Sequence, residues 1–273
     1  MVLLTLMTSA NIFGQFYYSD IVSIKNTNAN YVLCKNSKVK SITVKNVMAR
    51  TEDENSVAVK EVFKKNWQEK NTQTNMPNGS ERTFITTYAN DKISRKDDDG
   101  LNVNSLIRYE YSGNNLSAIR TSSVDTSAEF SDGFFEKHLF EYDAQGLPNK
   151  MYKIKNNADT TTIVFVKDEA NNIGEEKWYR KNDLIETYYY YYNDKKQLTD
   201  IVRFNAKYEK MLPEFLFEYN DNNQVVQMTQ IPFGSSNYTV TKYTYDEKGL
   251  KTLEKIFTKR GDLLNKMEYV YEF

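Results

Sequence analysis

The 273-residue chain has little cysteine, histidine, proline or net charge: it contains one Cys, one His and 4 Pro, and its formal net charge is −1. A single thiol excludes an internal disulfide framework and a multi-thiol zinc site, and a single imidazole excludes any site that needs two histidines. The near-zero charge leaves no electrostatic footprint for nucleic acid, so we expect no nucleic-acid partner. What the chain does have is aromatic side chains, with 21 Tyr and 15 Phe.

The first 15 residues, MVLLTLMTSANIFGQ, carry no charge and run from an apolar stretch into small and polar residues. This layout is typical of a secretory signal peptide, the alternative being a buried N-terminal strand or helix. Residues 10–15 also resemble the cleavage regions of exported Bacteroidota proteins. We therefore expect an exported protein, in the periplasm, at the cell surface or outside the cell, whose mature chain starts near Phe16. Cys34 lies too far beyond the apolar stretch for a lipoprotein cysteine, so we expect it to be buried and not lipidated.

A repeated unit runs from about residue 84 to residue 273. Each unit is an alternating, aromatic-rich run that ends on an anchor residue, followed by four or five turn-forming residues and then Leu, Ile or Val. Clear examples are HLFEYDAQGL (138–147), FLFEYNDNNQV (215–225) and TKYTYDEKGL (241–250). The spacing averages about 26 residues, a regularity that chance does not explain. The anchors are Tyr88, Tyr111, Tyr142, Lys167, Tyr192, Tyr219, Tyr245 and Tyr271.

Each unit is best explained as a β-hairpin. The run before the anchor alternates with a period of two and is rich in residues that suit a pleated surface, while Asn, Asp, Gly and Lys after it supply turn chemistry. Residues two and four before the anchor share its face of the strand, so the repeats stack aromatic rows on one face. We expect an all-β fold: one long, coiled antiparallel meander of repeated β-hairpins, solenoid- or barrel-like.

Three of these motifs resemble a known family of repeats. The runs at 140–146 and 243–249, each an aromatic, any residue and Tyr-Asp-x-x-Gly, and Arg-Tyr-x-Tyr at 108–111 are similar to YD (Rhs-type) repeats, in particular those of YD-like proteins exported by Bacteroidota. The resemblance covers about 84–273 and implies architecture and export, not an activity. The sequence departs from the pattern where Gly is replaced, by Asn171, Lys196 and Asn223. The arginine and leucine that usually follow the Gly are absent.

The segment before the repeats is less regular. Residues 38–48 alternate and predict a strand, whereas 54–67 fit either a strand or a short helix. Residues 68–82 are polar with Pro and Gly, which favours a loop or linker. We therefore divide the chain into a signal peptide (1–15), an N-terminal segment with at least one strand and a polar linker (16–82), and a repeat domain (83–273).

The sequence contains no catalytic motif, and we expect no catalytic residue, no cofactor and no metal site. His138 is the natural place to seek a general base, but it occupies the position four before an anchor, which the sheet explains. The acidic run at 97–99 before Gly100 is better explained as a charged turn than as a calcium loop.

Tyr152, Trp178, Tyr189 and Tyr191 are expected on the face opposite to the stacked columns. They could form an exposed aromatic platform for a protein or glycan partner, the alternative being a second packed layer. The C-terminal strand at 267–273 could offer an open edge to a partner strand.

These observations predict an exported, non-catalytic β-repeat protein that acts as a binding or structural module at the cell envelope or outside. One alternative is a carbohydrate-active hydrolase that uses carboxylates of the loops. A second is an outer-membrane β-barrel, since MEYVYEF (267–273) resembles a closing strand. Charged residues occur on both faces of the return strands, for example Glu175 and Glu176, so we expect no membrane insertion.

Overall fold

The computed structural model describes residues 15–47, 56–75, 80–100, 103–125 and 133–273. Its strands form one closed antiparallel barrel of 18 strands. Each strand pairs with the next along the chain, and β18 pairs with β1 to close the sheet. The predicted all-β meander is confirmed, and it is a barrel.

The strands are short and regular, as a hairpin repeat requires. Their bounds are β1 Ser41–Asn46, β2 Ser56–Lys64, β3 Glu69–Asn75, β4 Glu81–Ala89, β5 Lys92–Asp99, β6 Val103–Ser112, β7 Asn115–Asp125, β8 Phe134–Tyr142, β9 Pro148–Lys155, β10 Asp159–Lys167, β11 Ile173–Arg180, β12 Asp183–Tyr192, β13 Leu198–Asn205, β14 Lys210–Tyr219, β15 Val225–Gln230, β16 Thr239–Tyr245, β17 Lys251–Thr258 and β18 Leu263–Glu272.

The stacked aromatic columns face the inside of the barrel. Phe140, Tyr188, Tyr190, Phe215 and Phe217, which lie two or four residues before an anchor, are all buried in one core cluster. Alternation along each strand places these side chains on one face, and closure of the sheet turns that face inward. The aromatic excess of the sequence therefore fills the lumen.

The two ends of the barrel are built differently. We call the end that carries the loops after the anchors the anchor rim, and the opposite end the far rim. Five loops of the anchor rim, 143–147, 168–172, 193–197, 220–224 and 246–250, share one hydrogen-bond pattern. In each, the first side chain accepts N–H groups two and four residues on, as Asp246 does from Lys248 (2.9 Å) and Leu250 (2.8 Å).

Five anchor tyrosines tie their hairpin to the preceding one. The hydroxyl of Tyr219 donates to the Leu198 carbonyl at 2.8 Å, and that of Tyr245 donates to the Val225 carbonyl at 2.7 Å. Tyr142, Tyr192 and Tyr271 make the same kind of bond to earlier return strands. Two elements recur in the repeat, the anchor tyrosine and the Asp or Asn that follows it. Each makes hydrogen bonds that hold hairpins or loops in place.

A helix that the sequence analysis did not predict occupies the lumen. A π-helical turn, Tyr17–Val22, leads into α1, Ser23–Asn36, and the chain then enters β1 at the anchor rim. Tyr18 contacts Phe217 (ring centroids 5.2 Å apart), and Tyr31 stacks on Tyr88 (3.8 Å). The asparagine-rich α1 has little intrinsic helix preference, so enclosure in the barrel must stabilise it. Within the part of the chain that the structure describes, no helix has the length and apolar character to cross a bilayer.

Cys34 lies on α1 and is buried against Val39 and Ile42 in a second core cluster. Its exposed fraction is 1%, so the expectation of a buried thiol is confirmed. Burial raises the pKa of the thiol to about 11, which leaves it protonated and unreactive at neutral pH.

Three expectations need correction or a choice. Residues 56–64 form strand β2, which settles the strand-or-helix alternative for 54–67. The stretch 68–82, expected to be a loop or linker, contains strand β3, which pairs with both β2 and β4. Its side chains are polar, but its backbone is fully paired, so composition alone did not indicate a strand. The C-terminal strand is no open edge, because β18 pairs with β17 and β1. The predicted signal peptide lies outside the described residues except for Gln15.

Candidate functional site

A layer of buried charged groups surrounds the start of the lumen helix. Its first centre is Glu176 on β11, which has no exposed surface. One carboxylate oxygen accepts the backbone N–H of Phe16 (2.9 Å) and the Trp178 indole N–H (2.6 Å). The other accepts the backbone N–H of Tyr17 (2.7 Å) and the Tyr190 hydroxyl (2.7 Å). Burial raises the pKa of Glu176 to about 7, although all four donors oppose that rise.

The second centre is His138 on β8, 3% exposed, whose ring nitrogens lie between two carboxylates. Nδ1 lies 2.6 Å from Asp20 of the π-helical turn, and Nε2 lies 2.8 Å from Glu136. Burial alone would lower the pKa of His138, but the two carboxylates outweigh burial and raise it. Glu136 is also within 3.3 Å of Lys153 Nζ, and although burial opposes it, these two cations bring the pKa of Glu136 down to about 2.

The third centre joins β12, β13 and β14. Arg203 lies 2.8 Å from Glu186 and 2.5 Å from Glu214, and Glu214 also accepts a hydrogen bond from the Gln15 side-chain amide. The ring of Phe233, from the far rim, lies against the Arg203 guanidinium with 3.5 Å between Cζ and the ring centroid. Burial raises the pKa of Glu214, while the charge of Arg203 opposes the rise.

We call Asp20, Glu136, Glu176 and Glu214, with His138, Lys153 and Arg203, the lumen charge cluster. Its donors and acceptors are directed at the chain's own residues 15–20, so the cluster positions the start of the lumen helix. No group of three acidic, histidine or cysteine side chains is arranged to hold a metal ion in the ranges that the structure describes.

Two β-bulges explain why the sequence did not reveal this cluster. On β11, Val166 pairs with Glu175 and Lys167 with Ile173, so Gly174 is an extra residue and Glu176 turns inward. On β14, the register shift leaves Glu214 as the extra residue, and its side chain also turns inward. His138 was correctly placed on the stacked face, but nothing in the sequence indicated Asp20 as its partner.

The four residues of the predicted aromatic platform do not form one surface. Trp178 lies inside the barrel, where its ring is 4.8 Å from that of Phe16 and 5.4 Å from that of Tyr188. The bulge at Gly174 reversed the face expected for it. Tyr189 and Tyr191 alternate with the buried Tyr188 and Tyr190 and face outward, with Tyr191 50% exposed. Tyr152 is half-buried and three strands away on β9, about 14 Å at the usual strand spacing.

The first carboxylate of an anchor-rim loop, as in Asp143 and Asp168, is engaged in its own loop. A lysine side chain and loop N–H groups lower the pKa of Asp143, and hydrogen bonds within its own loop outweigh burial and lower that of Asp168. An open groove of about 510 Å³ lies between two of these loops, lined among others by Asn193, Gln197, Tyr219 and Asn220. Asn193 and Asn220 hold their own loop backbones, so the groove is a gap between repeats.

The far rim carries an unusual concentration of exposed apolar side chains. Strands β8 and β12 each begin with two consecutive ones, Phe134 with Phe135 and Leu184 with Ile185. Because neighbouring residues point to opposite faces, exposure of both means that neither face of the strand is covered there. We call the exposed set the apolar rim: Phe134, Phe135, Leu184, Ile185, Phe204, Tyr208, Met211 and Phe233, between 40% and 54% exposed.

No protein-family model and no curated protein sequence matches the chain. Among solved structures it is similar to the Tc toxin complex TcdB2-TccC3-Cdc42, with 13% identity and a TM-score of 0.37 over 82% of this chain but only 13% of that one. It is also similar to a porin-like protein from Bacteroides uniformis, with 10% identity and a TM-score of 0.40 over 86% of this chain and 98% of that one. For a porin-like protein from Bacteroides vulgatus the identity is 12% and the TM-score 0.30, with the same coverage of both chains. At these scores the likeness assigns neither a family nor a function.

Proposed function

We propose that the protein is an exported, non-catalytic binding module of the cell envelope, and that its apolar rim docks on a membrane surface with anionic headgroups. The observation that carries this proposal is the two pairs of consecutive exposed apolar residues on β8 and β12 of the far rim, four strands apart. Single exposed apolar side chains are ordinary, whereas repeated consecutive ones are typical of an interaction surface.

The charge of the far rim favours an anionic surface as the partner. Next to Leu184 and Tyr208 the exposed cations Arg180, Lys181, Lys207 and Lys210 outnumber the exposed anions Asp159, Asp183 and Glu209. Near an anionic membrane each Lys or Arg contributes about 1 kcal/mol. Apolar side chains on separate hairpin tips suit a deformable surface that can close around them.

The barrel wall stays in water in this proposal. Its outer face carries charged pairs such as Glu175 with Lys177 (2.5 Å) and Arg120 with Glu110 (2.5 Å). Docking by one rim therefore gives a peripheral protein. The proposal that the protein is non-catalytic is supported by the carboxylates of the lumen charge cluster and by Asp143 and Asp168, which bond to the chain's own groups.

Co-sedimentation of the protein with vesicles tests the proposal. We expect binding to phosphatidylcholine vesicles that contain phosphatidylglycerol, and weaker binding to pure phosphatidylcholine. The double variant Leu184→Ser, Ile185→Ser should bind at least tenfold more weakly, because burying each of these side chains is worth about 1.5–3 kcal/mol. The control is Tyr191→Ser with Val270→Ser, which removes side chains of similar exposure from the outer wall near the anchor rim and should change nothing.

Failure of the unmodified protein to bind either vesicle would overturn membrane docking. Equal binding by both double variants would place the contact elsewhere. Binding to a protein or glycan with no affinity for lipid would keep the binding module and reject the membrane as its partner.

A further inference from the structure

Residues 15 and 16 lie inside the barrel. Gln15 has no exposed surface and Phe16 is 2% exposed. The Phe16 ring lies between the Trp178 ring (4.8 Å), the His138 ring (5.1 Å) and Lys153 Nζ (4.9 Å). The lumen therefore holds these first residues as specifically as it holds any part of the core.

Gln15 is part of this arrangement. Its carbonyl accepts the Ser19 N–H at 2.7 Å, which is the first hydrogen bond of the helical segment, and its side-chain amide donates to Glu214. Removal of Gln15 would take the acceptor from the Ser19 N–H and one of two partners from the buried Glu214, which would keep Arg203. Gln15 thus contributes to the stability of the fold.

The lumen charge cluster contains one cation fewer than it contains carboxylates. Its four carboxylates, Asp20, Glu136, Glu176 and Glu214, face three cations, His138, Lys153 and Arg203. Glu176 is the carboxylate for which no cation lies within ion-pair distance among the described residues, although it is the most deeply buried of the four. A buried carboxylate without a countercharge is unfavourable, so a further cation beside Glu176 would stabilise the fold.

We infer that the mature chain begins at Gln15, after hydrolysis of the Gly14–Gln15 peptide bond, and that the new α-ammonium group is enclosed in the lumen beside Glu176 and Glu214. The inference rests on the export part of the proposed function. Hydrolysis by a processing peptidase of the export route consumes one water and yields the Gly14 carboxylate and the Gln15 ammonium. This boundary lies one residue earlier than the one predicted from the sequence.

Three observations favour this bond. Gly14 is a small residue, which signal processing prefers before the cut, whereas Gln15 is not. Consecutive backbone nitrogens lie within about 4 Å of one another, and the Phe16 nitrogen is 2.9 Å from Glu176. The Gln15 ammonium therefore falls within about 7 Å of Glu176, the carboxylate that has no cation partner among the described residues. The bond adjoins two enclosed residues, so the cut precedes closure of the barrel, as expected for processing during export.

The titratable groups around this terminus come from six strands and from the π-helical turn. They are Glu136 and His138 of β8, Lys153 of β9, Glu176 of β11, Glu186, Tyr188 and Tyr190 of β12, Arg203 of β13, Glu214 of β14, and Tyr17 and Asp20 of the π-helical turn. The nearest of these to residues 15 and 16 are the two carboxylates Glu176 and Glu214.

The cut site is tested by expressing the full chain, residues 1–273, in an exporting host and measuring the intact mass and N-terminal sequence of the product. We expect a chain that begins at Gln15 with a free amine. A chain that begins at another residue would overturn the inference. A product that begins at Gln15 but is lighter by one ammonia would have a cyclised Gln15 without a free amine. That result would overturn the proposed ammonium group.

The ammonium is tested by comparing two chains, 15–273 and 10–273, each unmodified and with Glu176→Gln. In 10–273 the nitrogen of Gln15 is an amide and does not titrate. We expect the folding equilibrium constant of 15–273 to exceed that of 10–273 by about tenfold at pH 7, the ratio that a one-unit rise in an amine pKa represents. A raised pKa gives stability that is complete below about pH 8, the unfolded value, and is lost as the pH rises through the folded value.

Glu176→Gln should therefore shrink both the advantage of 15–273 and its loss at alkaline pH, and Glu214→Gln serves in the same way if the first variant does not fold. An advantage that is equal in all backgrounds and at every pH would be steric and would overturn the charge pairing. Neither measurement uses lipid, so failure of vesicle binding leaves this test intact.

Discussion

At the anchor rim five loops have the same length and repeat the same hydrogen bonds, whereas the connections of the far rim from 156 onward range from two to eight residues. The anchor rim joins hairpins to one another through tyrosine hydroxyls and loop amides, and its loop residues are polar. The far rim also has bonds between hairpins, such as that from the Phe135 N–H to Asn156 (3.0 Å), but it carries exposed Phe, Leu and Ile. The barrel thus separates the residues that hold repeats together from those free to vary.

This difference teaches where to look for function in a repeat protein. A residue that recurs at a fixed place in each unit has a task in every unit, and here that task is structural. Residues that break the repeat, such as Glu176, Glu214 or Leu184, are the ones for which the repeat itself gives no reason. Both proposals above rest on such residues.

The largest expected effect contrasts two phenylalanines at opposite ends of β13 and β14. Phe217 is buried below the anchor rim against Tyr18, and Phe204 is 49% exposed at the far rim. Phe217→Ala should lower the free energy of unfolding by about 3–5 kcal/mol because it leaves a cavity. Phe204→Ala should change it by less than about 0.5 kcal/mol. Urea denaturation measures both, and equal losses would erase the distinction between the rims.

A smaller effect separates two neighbours in one anchor-rim loop. Asn220 accepts the N–H groups of Asn222 (3.0 Å) and Gln224 (2.9 Å), while Asp221 is fully exposed. Asn220→Ala should cost about 1–2 kcal/mol, since two loop N–H groups lose their acceptor. Asp221→Ala is the matched control and should be close to neutral. If the two variants unfold at the same urea concentration, the loop bonds do not stabilise the rim.

Much of the anchor rim could be predicted from the sequence, and little of the lumen could. The columns that hold Tyr190 and Phe217 follow from a period of two counted from an anchor, and that count is reliable on the strands before the anchors. On the strands after the loops, a bulge such as the one at Gly174 shifts the alternation of faces by one residue. The face predicted for Trp178 was therefore wrong. Single-residue bulges leave no clear mark in a sequence.

The lumen helix was missed for a different reason. Residues 23–36 contain four asparagines and show no apolar stripe, and several of them, including Lys25, Asn26 and Asn30, are exposed, so the pattern indicates neither an amphipathic nor a buried helix. Its partners, such as Tyr88 for Tyr31, lie far away along the chain. Only closure of the barrel brings them together, and neither local preference nor periodicity contains that information.

The smallest expected effect is an increase in the free energy of unfolding. It tests whether the backbone conformation of an anchor-rim loop limits its stability. The fourth residue of each five-residue loop has a positive φ, and in one loop it is Lys196 (φ 58°) where others have Gly146 (77°) or Gly249 (85°). A left-handed conformation costs a residue with a Cβ about 1–2 kcal/mol, and the greater freedom of glycine in the unfolded chain offsets part of this. Lys196→Gly should therefore raise the free energy of unfolding by about 0.5 kcal/mol, measured by urea denaturation. Lys195→Gly, one residue earlier and without a positive φ, should lower it, and a gain in both variants would mean that loop geometry is not the cause.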